Sequence, residues 1–172
     1  QQLHRRPATT RVRSPSYPTT TRPDTIEFAR KIHEQDRQHP VSREVAAQHM
    51  GFRGTTGTSD RALAALMHYG LAEKAGKGEI RVSELALRII HPTSAAERRD
   101  ALREAAFNPE LFRELRERYP GAPPTQNTLG SYLSRLNFAP IAIGPASKAY
   151  LETCYFLQRE GAQGFPHFRQ CV

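Results

Sequence analysis

Little in this sequence is reactive. Two cysteines, Cys154 and Cys171, occur in 172 residues, and neither belongs to a Cys-x-x-Cys pair. That is too few for a disulfide framework and wrongly spaced for a structural zinc site, so a reducing cytosol is the expected setting. No apolar run approaches the length that spans a bilayer, so no membrane helix is expected. The N-terminus is basic and polar with no apolar stretch behind it, unlike a secretory signal. Catalytic patterns are missing as well. His33-Glu34 begins like a zinc-protease helix, but Arg37 stands where the second histidine ligand belongs. Gly51, Gly54 and Gly57 are not followed by Gly-Lys-Ser/Thr, so they read as a turn and not as a nucleotide phosphate loop. Glu114 and Glu117 stand among Arg113, Arg116 and Arg118, the pattern of a solvated helix with local ion pairs. His167 and Cys171 have no companions that complete a metal site, and no serine or cysteine has a nucleophile's setting. The expectation is a protein that is not an enzyme and holds neither cofactor nor metal.

The chain is rich in positive charge, with a net charge of +8 and a pI near 10.0. A basic protein in the cytosol meets nucleic acid first. The excess is concentrated at one end. Residues 1–22 contain Arg5, Arg6, Arg11, Arg13 and Arg22 and no acid, whereas residues 23–91 and 92–172 are nearly balanced. This first stretch is also rich in Pro, Thr and Ser and has no periodicity, so residues 1–23 read as an extended basic arm.

Hydrophobic residues make up 38% of the chain, enough for a modest core. From Asp24 onward they recur at helical spacing. Asp24 and Glu27 form a capping box behind Pro23, which predicts a helix over 25–38, stopped by His39-Pro40. Ser42 caps a short helix over 43–49, and Gly51 closes it. Thr58 or Ser59 is expected to cap a third helix over 60–69, with Leu63, Leu66 and Met67 inward. Strands over 71–75 and 79–82 flank a Gly76-Lys77-Gly78 turn. Ser83 caps a fourth helix, which His91-Pro92 ends. Beyond it, Ser94 with Glu97 caps a helix to about 107, and Asn108 with Pro109 starts another. Helices follow near 126–136 and 147–160. The chain thus divides into an arm (1–23), a compact unit (24–91), a helical region (92–160) and a tail (161–172).

The segment 41–70 has a short helix, a turn of small residues, and a second helix with one dry and one wet face, as a helix-turn-helix requires. The hairpin behind it, with Lys74 and Lys77 near its tip and Arg81 after it, has the place and charge of a wing. Residues 24–91 resemble the winged helix-turn-helix superfamily of bacterial and archaeal transcription regulators. The phrase Leu66-Met67-His68-Tyr69-Gly70-Leu71-Ala72-Glu73 is similar to the passage that joins recognition helix to wing in that superfamily. The turn departs from it, with two extra glycines and three threonines. The expected fold is mainly α, a winged helix-turn-helix with a small β-hairpin wing followed by a helical C-terminal region.

The resemblance implies sequence-specific binding of double-stranded DNA, by a transcriptional regulator or a plasmid- or phage-type site binder. Thr58, Arg61, Ala65 and His68 form the wet face of the third helix, with Arg61 suited to a guanine edge and Ala65 to a thymine methyl. Thr55, Thr56, Thr58 and Ser59 suit phosphate at the helix N-terminus, with Arg53 in the turn before them. Lys74, Lys77 and Arg81 suit backbone phosphate from the wing. Arg5, Arg6, Arg11 and Arg13 suit a narrow minor groove. Residues 92–160 would hold a homodimer together or dock a protein partner, with Tyr150, Leu151, Cys154, Tyr155 and Leu157 as an apolar stripe suited equally to a subunit contact and to packing within one subunit. The near-neutral charge over 23–91 favours a second reading, an assembly subunit that uses the winged helix as a docking scaffold. A third is structural coating of DNA, in which the arm would matter more than the helix.

Overall fold

A computed structural model describes residues 16–18 and 22–162 of the chain. It is a mainly α domain with one small antiparallel sheet. The order is α1 (Arg22–Asp36), β1 (Val41–Ser42), α2 (Arg43–His49), α3 (Gly57–His68), β2 (Ala72–Gly76), β3 (Glu79–Val82), α4 (Glu84–Ile90), α5 (Ala95–Ala106), α6 (Glu110–Arg118), α7 (Gln126–Arg135) and α8 (Pro140–Arg159). Among the described residues no helix is long and apolar enough to cross a membrane.

Local chemistry explains most boundaries. α1 starts three residues before the expected position, because a proline in the first turn needs no N–H donor there and Pro23 is tolerated. Glu27 consequently binds Arg30 on its own helix. The helix stops where Arg37 takes a positive φ of 56°. α2 has the expected bounds, with Ser42 Oγ accepting from the Val45 N–H at 3.2 Å. β1 was not expected. It is two residues long, and Val41 pairs with Ile80 while Ser42 pairs with Glu79, so the sheet order is β1-β3-β2. The hairpin sets Glu73 opposite Arg81, with an irregularity between Lys74 and Gly76.

The C-terminal region differs more. Ser94 Oγ caps α5 as expected, but Glu97 accepts from the N–H and hydroxyl of Thr93, not from the backbone of Ser94. Those two bonds hold the Glu97 carboxyl below the usual range. Asn108 does not cap α6. Pro109 occupies the N-cap position without a side-chain bond, and Asn108 Nδ2 donates instead to the carbonyl of His68 at 2.7 Å. α8 begins seven residues earlier than expected. Pro140 fits its first turn, and Pro145 is accommodated inside the helix. The cost is that the Ile141 carbonyl has no N–H at residue 145 to accept from, and Ile141 is exposed to water that can replace it.

The expected division at Pro92 is not a gap in packing. One hydrophobic core runs from Ile32, Leu63 and Leu66 through Leu102 and Phe112 to Leu133 and Tyr150. The Tyr69 hydroxyl, at the end of α3, lies 3.4 Å from Thr153 Oγ1 of α8, and both residues are buried. Of the apolar stripe on α8, Tyr150, Leu151 and Leu157 are buried within the chain, and only Tyr155 is fully outside. Pro18 is buried and Tyr17 packs against the core, with burial raising its phenol pKa. The tail from residue 163 lies outside the described residues.

His33 faces the core from α1. Its Nδ1 is buried without a hydrogen-bond partner, and its ring centroid is 5.2 Å from that of His91. Desolvation first, then His91 and Arg37, lower its pKa from 6.5, although Glu34 acts the other way. A neutral His33 in the fold means that the unfolded chain takes up its proton first on acidification. Stability from this site is therefore full above about pH 6.5 and declines as the pH falls below it. The urea midpoint should fall between about pH 7.5 and pH 5.5, and the fall should be smaller in His33→Gln. An equal fall in both proteins would assign the pH dependence to other groups.

Candidate nucleic-acid interface

The α2–α3 corner is held by backbone geometry and one reciprocal cap. Gly51 takes φ 99° after α2, a conformation that costs glycine little. Thr56, not Thr58 or Ser59, is the N-cap of α3. Its Oγ1 accepts from the Ser59 N–H at 3.2 Å, while Ser59 Oγ accepts from the Thr56 N–H at 2.7 Å. Ser59 Oγ also donates to the Gly54 carbonyl at 3.0 Å. Ser59 is thereby fully buried and spent on the cap, so the expected phosphate contact from its hydroxyl does not hold.

The exposed face of α3 differs from the expected one. Gly57, Thr58, Asp60 and Arg61 are exposed, and Ala64 is half-buried. Ala65, expected to touch a thymine methyl, is 1% exposed. It lies beside Ala62 and Tyr69 around the helix, and both are core residues. His68 is half-buried, its Nδ1 has no partner, and desolvation lowers its pKa, so the ring is neutral near pH 7. The bond from Asn108 to its carbonyl fixes this end of α3 against the start of α6. The exposed part of α3 is thus its first half.

Around that face stand Arg53, Thr55 and Thr56, all exposed. Arg43 Nη2 lies 3.6 Å from Asp60 Oδ1, a neighbour that the sequence reading missed. The wing is tethered to the same corner, since the Arg43 N–H donates to the Gly78 carbonyl at 3.2 Å. Lys74 and Lys77 are exposed on the wing. Arg81 is exposed too, but its Nε donates to Glu73 Oε1 across the hairpin at 2.7 Å. Among the described residues, Arg53, Arg61, Lys74 and Lys77 have no carboxylate within salt-bridge distance. Arg5, Arg6, Arg11 and Arg13 lie outside the described residues. The structure therefore brings Arg53, Thr55, Thr56, Thr58 and Arg61 together at one corner, carries Lys74 and Lys77 on the hairpin tethered to it, and excludes Ser59 and Ala65 from the exposed surface. Among the described residues no cluster of three or more His, Cys, Asp or Glu side chains could hold a metal ion.

Comparisons with protein-family models, with characterised proteins and with solved structures return no match to this chain.

Proposed function

We propose that the protein is a winged helix-turn-helix reader of double-stranded DNA, acting as a transcriptional regulator or site-binding protein. The observation that carries this reading is the β1-β3-β2 sheet beside the α2–α3 corner. Pairing β1 with β3 ties the hairpin to the start of α2, so its lysines extend from the corner that exposes Arg61. The order helix, strand, helix, helix, hairpin is that of a winged helix. In this reading the N-terminal half of α3 enters the major groove, Arg61 bonds a guanine edge, and the wing lysines rest on phosphate.

Arg61→Ala should weaken specific binding by about 1–3 kcal/mol and relax preference at one base position, as read by titration at fixed salt. Unchanged affinity and preference would remove α3 from the contact. Lys77→Ala should lower affinity about equally for cognate and random duplexes, since a phosphate contact carries no sequence information. A loss confined to the cognate duplex would mean that the wing reads bases.

One observation favours a second reading, a scaffold that docks another protein. Glu73 neutralises Arg81 on the wing, and Asp60 lies beside Arg43 at the corner. A salt series decides between the two. DNA affinity should fall steeply and linearly in log–log form as salt rises, whereas a docking surface with little net charge responds weakly.

A further inference from the structure

α8 has two unlike faces. Ala146, Tyr150, Thr153, Phe156 and Leu157 are buried against the rest of the chain. On the other side Ile141, Pro145, Lys148, Glu152, Tyr155 and Arg159 are all exposed. Spacings of three and four place these six on one continuous stripe. Ile141 is 87% exposed and Tyr155 50%, and among the described residues they are the large hydrophobics left outside. A lone surface apolar residue needs no explanation. Two that mark the two halves of one stripe on a 20-residue helix do.

The residues between them indicate what covers the stripe. Lys148 Nζ and Glu152 Oε1 are 3.9 Å apart on the same helix, both largely exposed. Two α8 helices laid antiparallel, with the twofold axis level with Tyr150, set Lys148 against Glu152 of the second copy, and Glu152 against Lys148. The same register sets Pro145 against the ring of Tyr155 of the second copy, and Ile141 against the aliphatic stem of Arg159. Every facing pair is complementary and occurs twice, as a twofold interface demands. A parallel arrangement would set Lys148 against Lys148. Gly144 and Pro145 are short enough to admit a helix spacing of about 8–10 Å.

We infer that the exposed stripe of α8 is a homodimer interface in which two copies pack antiparallel. This surface is distinct from the buried one that Tyr150, Leu151 and Leu157 form, and it does not depend on what α3 binds. At about 30 Å in length the stripe makes a small interface, so the dimer should be reversible and concentration-dependent.

The test is sedimentation velocity of the full chain over about 1–100 µM, for wild type, Lys148→Glu, the double exchange Lys148→Glu with Glu152→Lys, and Tyr155→Ala. Wild type should shift from monomer to dimer across this range. Lys148→Glu turns two attractive contacts into two repulsive ones and should raise the dissociation constant about tenfold. The double exchange re-pairs opposite charges across the twofold axis at the wild-type net charge and should restore the wild-type value. Tyr155→Ala should weaken the dimer without any change of charge. All three positions are exposed, and matching circular dichroism melts would establish that the variants fold alike. A wild-type chain that stays monomeric at the highest concentration overturns the inference. So does a dimer indifferent to both Lys148→Glu and Tyr155→Ala, or a double exchange no tighter than the single one.

Discussion

Phe112→Ala should lower the free energy of unfolding by about 3–5 kcal/mol, and lower it for the whole described body at once. Phe112 is completely buried on α6, and its ring meets Tyr150 of α8 edge-on with centroids 5.6 Å apart. Burial holds the phenol of Tyr150 well above its ordinary pKa, so the ring surroundings are dry. Truncation removes that ring packing and leaves a cavity between α6 and α8 that rigid neighbours fill only partly. The destabilisation should reach the α2–α3 corner, because the same core continues through Tyr69 and Thr153, and Asn108 joins α6 to the end of α3. Arg98 and Glu160 add a half-buried ion pair between α5 and the end of α8, 2.5 Å apart. Urea unfolding followed by far-UV circular dichroism should therefore show one transition in wild type and variant. Amide exchange in α3 and α6 should accelerate together. Two transitions, with only one shifted by the mutation, would establish residues 92–162 as a separate folding unit.

The strongest local signals in the sequence agree with the structure. Ser42 caps α2, Ser83 caps α4, and the hairpin turns at Lys77-Gly78, with Gly76 of the expected turn ending β2 opposite Glu79, because each depends on residues within four positions of itself. What was not legible depended on partners far along the chain. β1 is two residues long and exists only because Ile80 and Glu79 are there to pair with it, so no alternation could announce it. Asn108 has the side chain of a cap, but a carbonyl forty positions earlier takes its amide. The helix expected from residue 147 begins at Pro140 instead, and it continues through Pro145 because its later residues Ala146, Tyr150, Thr153 and Phe156 are packed in the core. Within the candidate site, Ala65 turns inward because Ala62 and Tyr69, three before and four after it, are both core residues. Thr58 or Ser59 is the expected cap, and Thr56 takes the place because Ser59 bonds the Thr56 N–H and the Gly54 carbonyl together. That buries Ser59.

Deleting residues 1–15 should leave the melting temperature nearly unchanged and greatly weaken DNA binding, if the winged-helix reading holds. The deletion removes Arg5, Arg6, Arg11 and Arg13, four positive charges with no acid among them. It stops short of Tyr17 and Pro18, which pack on the core, so a deletion to residue 22 should also cost stability and is the poorer probe. Each phosphate that the shortened chain no longer neutralises should flatten the plot of log affinity against log salt by about 0.9, hence by up to about 3.6 for four. Arginines in a narrow minor groove would add a sequence effect, with a larger drop in affinity at sites flanked by A·T tracts than at G·C-flanked ones. The measurement is a salt series with full-length and truncated protein on both kinds of duplex. Equal drops on the two duplexes with a flattened slope would assign the arm to phosphate alone. Identical slopes and affinities would show that the arm does not touch DNA. A changed sedimentation coefficient beyond that expected from the smaller mass would assign it to subunit contact, apart from the α8 stripe, which the truncation leaves intact.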